Sequence, residues 1–272
     1  MTSNKQTSIH EASFRDPSGH IIQQEGVVRR VIFPFYFKQY DALTERGLFK
    51  KLTKAKLLIP HREISRTEEQ IVIEPEQLSF ITNPYEWSFE QYKHAALLTL
   101  KTHRLALANG FILKDASAYN VTFHKGKPVF IDTLSFDFYE EDTPWRAFKQ
   151  FITHFLGPLV LAKYHGADML KLMQVHIDGI PIKTIASLLP FKTKLSSTLY
   201  TNIHLLAKLE DKYSEDYKGE QKISKLSKKA QNNIIESLYN YIKKLQINQQ
   251  TEWGNYYDKT NYNESAFKHN CC

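Results

Sequence analysis

The stretch 88–132 does most to limit what this chain can become, because it dictates three local structures in succession. Ser88 is followed three positions later by Gln91, the reciprocal capping pattern of a helix start. Phe89, Tyr92, Ala96, Leu100 and Leu107 then recur along one helical face, and Gly110 stands where a left-handed residue closes a helix. A short apolar run, 111–113, leads into a polar loop, 114–120. Two further apolar runs, 121–123 and 129–131, flank the turn His124-Lys125-Gly126-Lys127 and predict a hairpin. A long capped helix feeding a loop and a tight hairpin holds the loop's polar side chains at set points on a packed frame.

The loop carries chemistry. Asp115 lies five positions before Asn120, and the hairpin delivers Asp132, in the run Phe-Ile-Asp-Thr, twelve positions further on. These are the spacings of a protein-kinase catalytic segment, where one carboxylate takes the proton of the incoming hydroxyl and an amide and a second carboxylate hold Mg²⁺ against the phosphates. Asp115 is then the base, and Asn120 and Asp132 are the metal ligands. Turn formation alone accounts for a bare Asp-x4-Asn pattern; the capped helix before it and the apolar-apolar-Asp ending after it make the match more specific. Several parts differ from the usual set. Leu113 and Lys114 replace the histidine and arginine before the catalytic aspartate, and Thr133 and Leu134 follow Asp132 in place of phenylalanine and glycine. No glycine-rich phosphate loop is present, since 16–19 holds a single glycine. The candidates to meet the cofactor phosphates are Arg30, on the second predicted strand, and Lys38 beyond it.

Elsewhere the pattern is mixed. Residues 1–15 are polar and expected to be flexible; 20–32 reads as a hairpin around Glu25-Gly26; 36–58 has helical spacing broken at Gly47; and 70–73 reads as a strand. From 145 onward the chain reads as helices, at 145–164, 167–175, 196–212 and a lysine-rich stretch 224–247 with no clear partner. The expected fold is α+β, not a doubly wound sheet. It is a kinase-like two-lobed arrangement with a small β-containing lobe at 16–83, a helical lobe at 84–212 and a lysine-rich extension at 213–250.

Composition narrows the function classes. With 42% hydrophobic and 24% charged residues, the 272-residue chain is neither disordered nor fibrous. Its net charge of +7 favours anionic partners without choosing among them. Cys271 and Cys272, adjacent at the end, can build neither a disulfide framework nor a CxxC site. No signal-peptide core opens the chain, and its longest apolar run, 155–162, is too short to span a membrane, so a cytoplasmic location is expected. The eleven histidines form no HxH or HxxxH pair. His154 reads as a hydrogen-bonded core residue. No two of the ten glycines are spaced two apart, which excludes a GxG loop for a dinucleotide or for S-adenosylmethionine (SAM).

The runs DPSGHIIQQEGVVRRV, GLFKKLTKAKLLIPH, NPYEWSFEQYKHAALLTLKTHRLAL, LKDASAYNVTFHKGKPVFIDTLSF and PWRAFKQFITHFLGPL together resemble the N-terminal, kinase-like region of a group of bacterial SAM-dependent methyltransferase family proteins, some of them nodulation-related. The resemblance covers 16–206, and 251–269 resembles the lead-in to that group's methyltransferase domain. It implies a kinase-like site at Asp115, Asn120 and Asp132, with ATP and Mg²⁺ as cofactors, and a methyltransferase domain absent from this chain and supplied by another domain or chain. Two readings follow. One is a phosphotransferase acting on a hydroxyl; the other is a non-catalytic module that positions substrate or partner for a methyltransferase. Nucleic-acid binding through Lys222, Lys225, Lys228, Lys229, Lys243 and Lys244 is the weaker third, because few aromatics interleave those lysines.

Overall fold

The computed structural model describes residues 7–9, 17–215 and 225–247. The residues 251–272, with Cys271 and Cys272, and the residue Lys222 lie outside this set. Strands β1 (Thr7–Ile9), β2 (Gly19–Gln24) and β3 (Val27–Ile32) open the chain, and β2 and β3 form the expected hairpin. Its turn residues Glu25 and Gly26 both take positive φ, 54° and 78°, the geometry that matches the twist of a two-residue hairpin. Only glycine fits at position 19, where a Cβ would stand 2.0 Å from the carbonyl oxygen of Val31.

Helices α1 (Phe37–Glu45) and α2 (Leu48–Lys54) follow, separated at Gly47, whose φ of 68° suits a residue without a side chain. They bury Tyr40, Leu43, Leu48 and Leu52. Strands β4 (His61–Arg66) and β5 (Ile71–Pro75) complete an antiparallel sheet of order β1-β2-β3-β5-β4. Because β4 is an edge strand with five of its six side chains exposed, its charged residues carry no alternating pattern, and the sequence does not announce it.

Helix α3 (Phe89–Ala108) has the expected capping box, with the Ser88 hydroxyl accepting from the Gln91 amide and the Gln91 side chain accepting from the Ser88 amide. Three short elements follow: β6 (Phe111–Leu113), then the hairpin β7 (Val121–His124) and β8 (Lys127–Phe130). Strand β9 (Phe136–Phe138) pairs with β6, a two-stranded closure too short to be read from sequence. Backbone bonds tie this part to the segment that leads into β4, with Ile59 N–H donating to Phe130 O at 2.9 Å and Phe130 N–H to Leu57 O at 3.0 Å.

The remainder is helical, as expected. Helix α4 (Phe148–Phe151) widens into a π turn at Ile152–Leu156 and continues as α5 (Gly157–His165); 3-10 turns, α6 (Ile182–Leu188), α7 (Ser197–Leu199) and α8 (Leu205–Glu215) follow. Helix α9 (Lys228–Lys243) corrects the expectation of a lysine-rich segment without a partner. It buries Ile235, Leu238 and Ile242 and packs on α3, with Lys93 Nζ donating to Leu245 O at 2.9 Å. Lys229 and Lys243 face outward while its apolar stripe joins the core. No helix among the described residues is long and apolar enough to cross a membrane.

Candidate functional site

Asp132 lies just past β8, in a turn that its own side chain shapes. Oδ1 accepts from the Leu134 amide at 3.2 Å, Oδ2 accepts from the Ser135 hydroxyl, and the Arg30 guanidinium of β3 closes an ion pair on Oδ1. Both side chains are mostly enclosed, 16% and 15% exposed. Burial alone would push the carboxyl pKa up. The Arg30 charge, with the Ser135 and Leu134 donors, outweighs it and holds Asp132 below its ordinary value, so the group stays an anion.

Asp115 is held in another way. It sits in the loop between β6 and the 3-10 turn Ala118–Asn120, where Oδ1 accepts from the Ser117 amide at 2.9 Å and from Gln150 Nε2 at 2.8 Å. Gln150, on α4, also accepts from the Ala116 amide at 2.7 Å, so one side chain grips both the Asp115 carboxylate and the backbone that follows it. From the π turn, His154 Nδ1 accepts from the Ala118 amide at 3.3 Å. The fold therefore uses His154 as a buried hydrogen-bonded residue whose bond lands on this loop, with its pKa pushed down to about 4 chiefly by burial. The Asp115 pKa is raised, first by burial and then by the charge of Asp132, against the lowering effect of Ser117, Gln150 and Asn120.

Asn120 and Ser135 join the two halves. Asn120 Nδ2 donates to Ser135 Oγ at 3.3 Å while that hydroxyl donates to Asp132, and Asn120 O accepts from the Ile131 amide at 2.8 Å. Beneath the loop, Leu113 is clamped. Its amide donates to His103 Nδ1 at 3.2 Å and its carbonyl accepts from Trp145 Nε1 at 2.6 Å, the two rings stacking at 4.0 Å. Lys114 Nζ reaches Ser18 Oγ at 3.1 Å and lies 4.6 Å above the ring of Tyr36.

Arg30, Asp115, Asn120 and Asp132 thus meet in one network. Lys38 does not join it. It lies on α1, 5.6 Å above the Phe138 ring, beside a surface hollow with Asp41, Glu45 and Arg46. Gln150 and Ser135 are the residues that sequence reading passes over, since neither belongs to a motif and both act through bonds the local pattern cannot show. Among the described residues no group of three His, Cys, Asp or Glu could hold a metal on its own. One anionic carboxylate and one amide oxygen are nevertheless the hard donors that suit Mg²⁺, which takes few protein ligands and completes its shell with phosphate and water.

No family model matches the chain. It is homologous to the nodulation protein NoeA of Rhizobium meliloti (strain 1021), at 30% identity over 262 residues, which cover 92% of this chain and 55% of that protein. The chain thus spans about half the length of this curated relative. Among solved structures it is similar to vaccinia related kinase 3, with a TM-score of 0.38 and 12% identity over 89% of each chain. It is also similar to the Cydia pomonella granulovirus kinase PK-1, with a TM-score of 0.38 and 8% identity over 56% of this chain and 68% of that one.

Proposed function

We propose that the chain is a kinase-like domain that binds ATP with Mg²⁺ between a sheet lobe and a helical lobe and transfers phosphate to a hydroxyl acceptor. The observation that carries this reading is the convergence of Arg30, Asp115, Asn120 and Asp132, up to 102 residues apart in sequence, into one network whose two carboxylates are driven in opposite directions. Paired carboxylates with diverging proton affinities are the mark of divided acid-base labour.

In this reading the acceptor hydroxyl gives its proton to Asp115 as its oxygen bonds to the transferred phosphorus, and the bond to the leaving diphosphate breaks. Gln150 keeps the Asp115 carboxylate aimed. Arg30 sits on the strand from which a kinase lysine meets the phosphates, and its planar fork suits phosphate oxygens as well as it suits Asp132. Asp132 and Asn120 would hold Mg²⁺, which when bound offsets the charge developing on the phosphates. ADP release measured with the chain and a panel of hydroxyl acceptors tests this. Turnover that Asp115→Asn abolishes supports it, and turnover that survives the substitution rejects it.

A second reading keeps the nucleotide and drops the transfer. Asp132 already has its charge met by Arg30 and both oxygens engaged, which suits a module that positions a substrate or partner for a methyltransferase domain. Tight Mg-ATP binding without phosphate transfer to any acceptor favours this alternative.

A further inference from the structure

We infer that the helical part of the chain carries a docking surface for anionic phospholipid membranes, centred on the hollow between α6 and α8. Residues 179–209 contain four lysines and neither aspartate nor glutamate, where the chain's average acid content would place about three. The fold gathers three of those lysines around one hollow of about 280 Å³: Lys183 from α6, Lys194 from the 3-10 turn Phe191–Leu195, and Lys208 from α8, with Tyr200 and His204 between them. No carboxylate among the described residues pairs with Lys192, Lys194 or Lys208. His204 reports the resulting field: burial first, then the charges of Lys194 and Lys208, push its pKa down, while its ring nitrogen holds Thr193 Oγ1 at 2.8 Å.

Exposed apolar residues on the same elements point the same way. Phe191 is 74% exposed and Leu195 82%, on the very turn that supplies Lys194, and Leu188, Leu205 and Leu209 on the flanking helices are also exposed. Lys194 Nζ stands 5.0 Å over the Phe191 ring, so charge and apolar surface are interleaved at side-chain scale. Bulky side chains grouped in the open mark an interaction surface. Lysines that reach a negative headgroup layer while leucine and phenylalanine enter the acyl boundary are the chemistry of interfacial binding. Single-stranded nucleic acid fits less well, since its bases need stacking platforms and four of the five exposed apolar side chains here are leucines.

The experiment is vesicle co-sedimentation of the full chain with phosphatidylcholine alone and with added phosphatidylserine. Expected is partition onto the serine-containing vesicles only, falling steeply as salt rises. Lys194→Glu with Lys208→Glu should lower that partition by at least about tenfold. Phe191→Ser with Leu195→Ser should lower it about as much without changing its salt dependence. All four positions are exposed, so melting temperature checks folding, and Lys194→Gln with Lys208→Gln replaces the charge reversal should it misfold. Absence of serine-dependent binding overturns the proposal. So does binding that survives both double substitutions, or binding that inorganic phosphate abolishes while the Phe191/Leu195 variant stays unaffected, which marks a free-phosphate site. Retention of single-stranded nucleic acid in place of vesicles overturns it too.

Discussion

The loop that carries Asp115 and the strand end that carries Asp132 hold their carboxylates by opposite means, although each lies within reach of the other's charge. Asp132 is met by a full positive charge from another sheet, by a hydroxyl and by an amide, and is kept ionised despite burial. Asp115 has only neutral donors, chiefly Ser117 and Gln150, and burial beside a second carboxylate raises its affinity for a proton. A fixed anion can hold a cation, and a carboxylate that gains protons more readily can accept one from a hydroxyl. In the proposed function the same residue type takes two roles because one segment is anchored across the fold by charge and the other by amides.

Breaking the ionic side of this comparison should have the largest effect. Asp132→Asn leaves the enclosed Arg30 guanidinium without its counter-charge, and loss of one partner of a buried pair costs about 3–5 kcal/mol. Chemical denaturation should show that loss, and Arg30→Leu should show one of similar size from the other partner. Removing the proposed base comes next. Asp115→Asn should lower turnover by about 10²- to 10⁴-fold while Mg-ATP affinity stays within about twofold, checked by steady-state kinetics beside calorimetry.

Acid should then weaken the frame beneath Asp115 before it neutralises the site. His103 and His154 have their pKa pushed below the usual 6.5, to about 3 and about 4, mainly by burial. The unfolded chain therefore binds the protons first, and stability falls as pH drops from 6.5 toward those lower values, by about 2 kcal/mol per imidazole at pH 5. The contribution of Asp132 has the opposite origin. Its folded value is depressed, so its stabilisation is full above the ordinary carboxylate range and disappears only at lower pH. Melting temperature followed from pH 7 to 4 should fall already between 6.5 and 5, and a flat profile there would contradict the buried neutral histidines. The smallest effect is expected at Gln150. Gln150→Leu removes a donor that favours the charged Asp115, so turnover should fall about tenfold and the acidic limb of its pH profile should move to higher pH, a shift that mere loosening of the loop would not produce.

How far the sequence reaches can be judged at the same two places. The spacing of Asp115, Asn120 and Asp132 is visible because a capped helix, a loop and a hairpin are local structures with local signals. The first hairpin, the break at Gly47 and the α3 boundaries are visible for the same reason. The ion pair from Arg30 to Asp132 spans 102 residues and leaves no trace in either segment. Gln150 reads as one more polar residue in an amphipathic helix, and only packing brings it under the loop. Strand β9 is three residues long and gains its meaning from β6. The apolar stripe of α9 is legible as a stripe, but nothing in it names α3 as the surface it covers.

In the proposed function Asp132 and Asn120, with Arg30, receive a metal-bound nucleotide. Isothermal titration of the full chain with ATP, with and without Mg²⁺, set beside Asp132→Asn, tests it most directly. Mg²⁺-dependent binding that the substitution abolishes is the expected result. No binding by the parent chain, or equal binding by the variant, would contradict it.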